Sequence, residues 1–207
     1  LQTLLKSGTE GDYKVIIMED IMNELIAKKQ EKEALAIADQ AKKQYPKSPF
    51  IENIKNKENQ ITNPFLTIKY EQQTQNNLPI HFVAEHKNVT DFSLNIYEVK
   101  EDFTTLMQYV QNSYNNTFSK VKKNLVRKET FELGNSKDFQ IHKTSLEIKP
   151  LPSGVYVVEY AVAGSDAKDS NSRQNFYFLV SGNKIIYQTK TDRNQLSNTL
   201  KLVNSEN

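Results

Sequence analysis

The sequence contains no cysteine, so it holds no disulfide, no thiolate metal ligand and no cysteine nucleophile. Basic and acidic residues nearly cancel: 27 Lys plus Arg stand against 25 Asp plus Glu. The resulting net charge of +2 gives no indication of a nucleic-acid partner. The sequence also lacks the apolar run of about 18 residues that a membrane-spanning helix needs. What remains is the composition of an ordinary globular protein, 37% hydrophobic and 25% charged.

Glycine is absent between Gly11 and Gly134, and the composition changes within that stretch. Residues 12–60 are rich in Ala, Lys, Glu, Gln and Ile, whereas residues 65–182 are rich in alternating Phe, Tyr, Val and Ile. The change falls at Pro64, and proline disfavours helical geometry in the residue before it. We therefore expect helices in 12–60 and nearly all the strand in 65–182.

Three helices are predicted in the first part. The first has a wide apolar face, the second carries Ala34, Ala38 and Ala41 and ends before Pro46, and the third follows Ser48 and Pro49. The alanine spacing resembles the second helix of a tetratricopeptide repeat, because small residues let paired helices approach closely. The aromatic and glycine residues typical of the first helix of that repeat are missing. We predict a helical, repeat-like segment over residues 1–62.

Seven runs with a period of two predict an antiparallel β-sandwich of the fibronectin or immunoglobulin kind over residues 63–182. The expected fold class is thus α+β, with helices first and the sandwich second. Residues 183–207 are expected to hold a linker strand at 183–188 and the first strand of a following domain at 199–203. Each of these two strands should find a ladder partner, either on this sandwich or on a neighbouring copy.

Residues 102–112 interrupt the strand pattern with apolar residues at helical spacing, so they predict a short helix inserted between two strands. Phe103, Met107 and Val110 of this insert should cover an end or edge of the sandwich. The insert and the loop after it also supply the candidate protein-interaction residues, Tyr109, Tyr114 and Phe118. The alternative for these aromatic residues is a place in the core.

No residues combine into a recognisable catalytic or metal site. His81 and His86 lie five apart on a predicted strand, hence on opposite faces, which argues against a shared metal ion. No phosphate-binding glycine loop, nucleophile elbow or zinc-protease motif is present. We therefore predict no enzymatic activity, no catalytic residue, no metal and no cofactor.

Lys120, Lys122, Lys123, Arg127 and Lys128 form the densest basic run. They indicate either contact with an anionic partner or an edge strand protected against aggregation by lysine. The second alternative is favoured. Asn88-Val-Thr90 matches the glycosylation triplet, which matters only in a eukaryotic secretory pathway.

Three stretches resemble one known family. Residues 63–70 read NPFLTIKY, residues 91–97 read DFSLNIY, and residues 151–160 read LPSGVYVVEY. Their order after a helical segment is similar to the N-terminal region of bacterial alpha-2-macroglobulin-like proteins, with their first macroglobulin domain. Those proteins are large exported or lipid-anchored chains of serial fibronectin-like domains. They trap proteases through a cleavable bait region and, in many members, a Cys–Gln thioester.

The resemblance implies a non-enzymatic scaffold or interaction fragment of a larger protein, in the periplasm or at the outer membrane. The thioester cannot lie in this chain, because it has no cysteine. The expected partners are other domains of the same chain, together with a protease or an envelope protein. The chain begins at Leu1, which indicates a processed piece whose signal or lipid anchor lies outside it. The alternative is a cell-surface β-sandwich that binds carbohydrate or a protein.

Overall fold

The computed structural model describes residues 11–101, 121–134, 136–162, 173–192 and 195–204, together with Leu5, Thr105, Gln108 and Phe118. Within residues 11–62, which are all described, three helices precede the strands, as predicted: α1 is Tyr13–Ala27, α2 is Glu31–Gln44 and α3 is Ile51–Thr62. They share one core, which consists of Val15, Met18, Met22, Ala34, Ala38, Ala41, Ile51, Ile54 and Ile61. Three of the alanines of α2, Ala34, Ala38 and Ala41, are completely buried.

The ends of α2 and α3 follow the proline rule. The helix α2 ends at Gln44, two residues before Pro46, and α3 ends at Thr62, directly before Asn63 and Pro64. The residue before a proline is restricted to extended geometry, and Asn63 has a ψ angle of 136°. The chain therefore leaves α3 already extended, which directs it into the first strand.

The described residues between Phe65 and Ser181 form eight strands in two sheets. The strands are β1 Phe65–Tyr70, β2 Gln73–Gln75, β3 Ile80–Lys87, β4 Asp91–Val99, β5 Lys123–Glu132, β6 His142–Ile148, β7 Gly154–Val162 and β8 Arg173–Ser181. One sheet has the order β1-β3-β6, and the other has the order β2-β8-β7-β4-β5. The structure is therefore an α+β fold that contains a β-sandwich.

The second sheet departs from a wholly antiparallel arrangement. Its β4–β5, β4–β7 and β7–β8 pairs are antiparallel, as predicted. The unpredicted β2 pairs with β8 in parallel, and Leu179 donates its backbone N–H to Gln72 at 2.9 Å beside this pair. The segment between β1 and β3 thus adds a short edge strand to the opposite sheet.

The sandwich core is aromatic. The ring of Phe82 on β3 meets those of Phe176 and Phe178 on β8 edge to face, with centroids 5.7 and 6.0 Å apart. Because β3 and β8 belong to different sheets, these contacts lie between the two sheets. Phe82 and Phe178 are almost wholly buried. Burying each aromatic side chain contributes about 1.5–3 kcal/mol.

The last two strands pair with each other. They are β9 Asn183–Asp192 and β10 Gln195–Asn204, and they form an antiparallel ladder from Asn183↔Asn204 to Asp192↔Gln195. The prediction that both segments have ladder partners is confirmed, but the predicted partner was wrong. Two residues lie between the strands in the sequence, and so short a spacing favours pairing of the two strands with each other. They therefore do not need the edge of the sandwich or a neighbouring copy as a partner.

The chain divides into two compact units whose segments alternate along the sequence. The first unit comprises Leu1–Thr67, Glu85–Val89 and Gly134–Lys143. The second comprises Ile68–Ala84, Thr90–Leu133 and Thr144–Asn207. The domain boundaries predicted from the sequence, at residues 62 and 182, stay a prediction.

Candidate functional site

The predicted interaction residues fall mostly outside the described part of the chain. Tyr109 and Tyr114 are among the residues that are not described, as are Phe103, Met107 and Val110. Of the predicted helix over 102–112, Thr105 and Gln108 are described, and both are helical. The roles of these residues therefore stay predictions.

Phe118 belongs to a small apolar cluster of the second unit. It is 5% exposed and packs with Val99, Val121 and Val157, and its ring centroid lies 6.1 Å from that of Tyr177. For Phe118 this arrangement corresponds to the core alternative, and its role in protein interaction stays a prediction.

Two members of the basic run are held within the sandwich. Lys123 Nζ donates to the backbone oxygen of Phe118 at 2.9 Å, forms an ion pair with Glu159, and lies 4.9 Å from the ring centroid of Tyr97. Arg127 donates to the backbone oxygens of Lys149 and Pro150, at 2.6 and 3.2 Å. The charged groups of both side chains therefore contact backbone oxygens of the protein, and that of Lys123 also contacts Glu159 and the Tyr97 ring.

The run lies on an edge strand, as the favoured alternative predicted. The strand β5 is the last in its sheet, and none of its residues is buried. Its ladder with β4 shifts register between Ile96 and Tyr97, which leaves Val126 without an opposite residue. Leu125 and Val126 are 55% and 45% exposed at this bulge. The exposed Lys122 and Lys128 flank them, and lysines and bulges are common protections of an edge.

A group of polar side chains that the sequence did not predict lies in the first unit. The ring of the buried His86 has its centroid 5.9 Å from that of His142. His142 Nε2 lies 2.9 and 3.0 Å from the two carboxylate oxygens of Asp138, and 2.9 Å from Ser136 Oγ. We call His86, Ser136, Asp138 and His142 the histidine cluster.

The histidine cluster lacks the geometry of a catalytic triad. A triad places the acid at one ring nitrogen and the nucleophile at the other. Here Asp138 and Ser136 both meet Nε2 of His142, so the carboxylate does not orient the ring toward the serine. Within the described residues, no group of three His, Asp or Glu side chains has metal-binding geometry.

Two groups of the histidine cluster, the Asp138 carboxyl and the His86 ring, have shifted pKa values. The hydrogen bond from His142, followed by those from the Gln140 N–H and Ser136, holds the pKa of the Asp138 carboxyl far below its usual range. Burial, and then the neighbouring His142, lowers the pKa of His86 from its ordinary value of 6.5. His86 is therefore held neutral at neutral pH, and Asp138 is ionised.

His81 faces the other way from His86, as the alternation predicted. Its side chain is 68% exposed and lies 3.9 Å from Glu147. It also borders a shallow cavity of about 270 Å³ in the second unit, beside β2. The cavity is lined mainly by polar residues: Glu71, Gln73, Thr74, Gln75, Leu78, Pro79 and His81.

Comparison with known proteins gives no family. No protein-family model and no curated protein match the chain. Among solved structures, a fragment of alpha-2-macroglobulin from Escherichia coli, spanning domains MG0-NIE-MG1, is similar over 69% of this chain at 18% identity and a TM-score of 0.41. The chain covers 46% of that fragment.

Two further similarities have lower scores. A CARDB domain from Pyrococcus furiosus, solved with two metal ions, matches 57% of this chain and 94% of its own at 16% identity, with a TM-score of 0.32. The class 5 fimbriae chaperone CfaA matches 67% of each chain at 11% identity and a TM-score of 0.32. This chain contains a β-sandwich module. Similarities with such scores do not distinguish one function from another.

No helix in the described residues is long and apolar enough to cross a membrane. The part of the site that the sequence missed is the histidine cluster. Ser136, Asp138 and His142 lie within seven residues of one another, and this spacing was enough to group them. The approach of His86 depends on the pairing of β3 with β6, which no local pattern encodes.

Proposed function

We propose that this chain is a non-enzymatic scaffold and interaction segment of a larger, exported, macroglobulin-like protein. The observation that carries the proposal is where the three stretches of the resemblance lie in the fold. Residues 63–70 lead from α3 through β1, residues 91–97 lie in β4, and residues 151–160 form the turn into β7 and most of that strand. The stretches thus contribute strands to both sheets of one sandwich.

The strand order supports an immunoglobulin- or fibronectin-like module. In the lettering of that fold, β1, β3 and β6 take positions A, B and E, while β4, β7 and β8 take positions C, F and G. The Tyr156 hydroxyl donates to the Pro152 backbone oxygen at 2.9 Å, four residues upstream at the start of β7. This is the position of the tyrosine corner in such sandwiches. This hydrogen bond gives a structural reason for the sequence LPSGVY at residues 151–156.

The buried alanines of α2 support a repeat-like role for the helices. Ala34, Ala38 and Ala41 have no exposed surface and lie in the shared helical core. Small residues at this spacing are what close pairing of repeat helices requires. In our proposal, the helices and the sandwich contact other domains of the same chain, in the periplasm or at the outer membrane. The protease-trapping chemistry lies elsewhere in that protein.

The proposal is tested with the native full-length protein and a protease. A trapped protease keeps its activity on small peptides but loses activity on large protein substrates. We expect the full-length protein to leave cleavage of small peptides unchanged and to reduce cleavage of large proteins. The separate chain of residues 1–207 should change neither activity. Hydrolysis of either substrate by the separate chain would contradict a non-enzymatic role. The absence of the split with the full-length protein would contradict the macroglobulin-like assignment.

The cavity beside β2 favours a second candidate, a cell-surface module that binds carbohydrate. Its amide, hydroxyl and carboxylate groups, beside Leu78 and Pro79, suit a sugar ring. NMR titration with neutral oligosaccharides tests this candidate. Saturable shifts near the cavity that Gln73→Ala with Gln75→Ala abolishes, and that Gln40→Ala in α2 leaves unchanged, would favour it over the scaffold proposal.

A further inference from the structure

One sheet of the sandwich ends at a strand with a vacant place beside it. The three-stranded sheet ends at β6, which has β3 as its only neighbour among the described strands, whereas the opposite sheet has five strands. In the seven-strand immunoglobulin fold, the place beside strand E holds strand D. Here the described strand between β4 and β6 is β5, which pairs with β4 on the opposite sheet. We call the place beside β6, on the side away from β3, the D position.

The D position lies over β5. At one side of the sandwich, Phe82 of β3 packs against Phe176 and Phe178 of β8. At the other side, Arg127 of β5 donates to the backbone oxygen of Lys149, directly after the end of β6. Since β7 and β4 lie between β8 and β5, the step from β3 to β6 leads across the sandwich toward β5. A strand in the D position would therefore face the inner side of β5.

The inner side of β5 is incompletely covered. Three of its residues pair with completely buried residues of β4, namely Arg127, Glu129 and Phe131 with Ile96, Leu94 and Phe92. Directly opposite residues of an antiparallel pair lie on the same face of the sheet, so this row faces the interior. Yet the side chains of Arg127 and Glu129 are 24% and 37% exposed, and Phe131 is only half-buried. A strand in the D position would cover this row.

The D position has room for a single strand but not for a second copy of the sandwich. Two copies that paired antiparallel through β6 would carry their five-stranded sheets on the same face of the joined sheet. Because each of those sheets extends past β6 to β5, the two sheets would occupy the same space. One further strand needs only about 4.8 Å beside β6. The occupant that fits is therefore one extended segment.

The two faces of β6 define the chemistry of this segment. Leu146 and Ile148 are buried on the inner face, whereas Ser145 and Glu147 are exposed on the outer face. A neighbouring strand that continues both faces has apolar residues inside, between the buried pair and Phe131, and polar residues outside. Opposite charges on adjacent strands attract, so a basic residue suits the outer position beside Glu147.

We propose that the edge of β6 accepts one extended strand from another protein segment, with apolar residues facing Phe131 and a basic residue beside Glu147. The backbone N–H and C=O groups that β6 directs away from β3 supply the hydrogen bonds. In this mode of recognition the main chain provides affinity and the alternate side chains provide specificity. The inference adds a kind of partner to the proposed scaffold role. It does not rest on the macroglobulin-like assignment, because it follows from the two sheets alone.

A synthetic strand peptide tests the proposal by NMR on the full chain. The peptide has the length of β6, seven residues, and alternates Val or Ile with Thr and one Lys. We expect saturable binding. At a peptide concentration of about ten times Kd, the amides of 145–148 that exchange fast in the free chain should exchange roughly tenfold more slowly. A peptide of the same composition without the alternation, and one with a central proline, should not bind.

A reversal of charge tests the predicted register. Glu147→Lys should weaken binding of the Lys peptide roughly fivefold and favour a peptide with Glu in place of that Lys. Glu33→Lys makes the same change at an exposed position of α2 and should alter neither affinity.

Three results would overturn the proposal. The first is slow exchange of every β6 amide in the free chain, which would show that the edge is already covered. The second is peptide binding that leaves the amides of β6 unchanged. The third is self-association of the free chain through β6, which would make a second copy the occupant. No protease takes part in these measurements, so their failure is distinguishable from failure of the trapping experiment.

Discussion

At the residue scale, the most informative contacts are those that complete the end of α3. The Asn88 side chain donates to the backbone oxygens of Ile61 and Thr62 at 2.8 and 3.0 Å, next to the Lys87 contact with Gln60. The last carbonyls of a helix have no partner within the helix, so these donors satisfy them. Asn88 itself has a φ of 55°, which asparagine tolerates better than most residues.

Replacing Asn88 therefore separates its capping role from its backbone role. Asn88→Gly keeps the left-handed conformation but loses both hydrogen bonds, and we expect it to lower the free energy of unfolding by about 1 kcal/mol in urea. Asn77→Gly is the matched control, because Asn77 has a φ of 68° and is exposed. It should change stability by less than about 0.5 kcal/mol. Equal effects of the two changes would contradict the capping role.

Sequence reasoning reached some of these residues and missed others. Alternation along one strand placed His81 and His86 on opposite faces, because side-chain direction is a local property of a strand. It identified Asn88 as a glycosylation triplet, whereas the structure uses its amide to cap α3. The partners of Asn88 and His86 come from distant segments, so no local pattern could assign their roles.

At the scale of elements, the period of the apolar residues predicted the three helices and the main strands. It missed β2, whose three residues are Gln73, Thr74 and Gln75 and include no apolar side chain. That strand exists through its parallel pairing with β8, which is a tertiary contact. The hairpin of β9 and β10 was predicted as strands but not as a pair. The period of the apolar residues identifies strands well, but it does not identify the strands with which they pair.

The close packing of α2 gives a direct test of the repeat-like helices. Ala38→Leu inserts a large side chain at a position with no exposed surface, and we expect it to destabilise the chain by about 1–3 kcal/mol. Ala36→Leu makes the same change at an exposed position of the same helix and should cost less than about 0.5 kcal/mol. Thermal and urea unfolding measure both. Similar costs at the two positions would rule out close packing as the reason for the alanines.

The lysines of β5 are expected to keep this edge from pairing with other chains. Lys122→Ile together with Lys128→Ile should increase self-association roughly tenfold, about 1.4 kcal/mol, because it leaves an apolar edge around Leu125 and Val126. Sedimentation velocity measures the association. Lys32→Ile with Lys43→Ile on α2 alters the net charge equally and is the control. If both pairs associate alike, the edge is not responsible.

At the scale of the whole molecule, the sequence did not predict which segments make up each of the two compact units. The sequence predicted helices over 1–62, a sandwich over 63–182 and a linker with the start of a further domain over 183–207. The first unit also takes in Glu85–Val89 and Gly134–Lys143, which come from within the predicted sandwich. Those segments look like ordinary strand ends and loops in the sequence. Their packing partners, such as the helical core beside Phe139, are far away along the chain.

The central claim is that this chain is one module of a larger, exported, macroglobulin-like protein. An immunoblot of fractionated source cells, with antibodies raised against residues 1–207, tests it most directly. We expect a single band in the envelope or periplasmic fraction. Its mass should exceed that of this 23.9 kDa chain by several sandwich modules of about 100 residues each. A band of about the mass of this chain alone, or one confined to the cytoplasmic fraction, would contradict the claim.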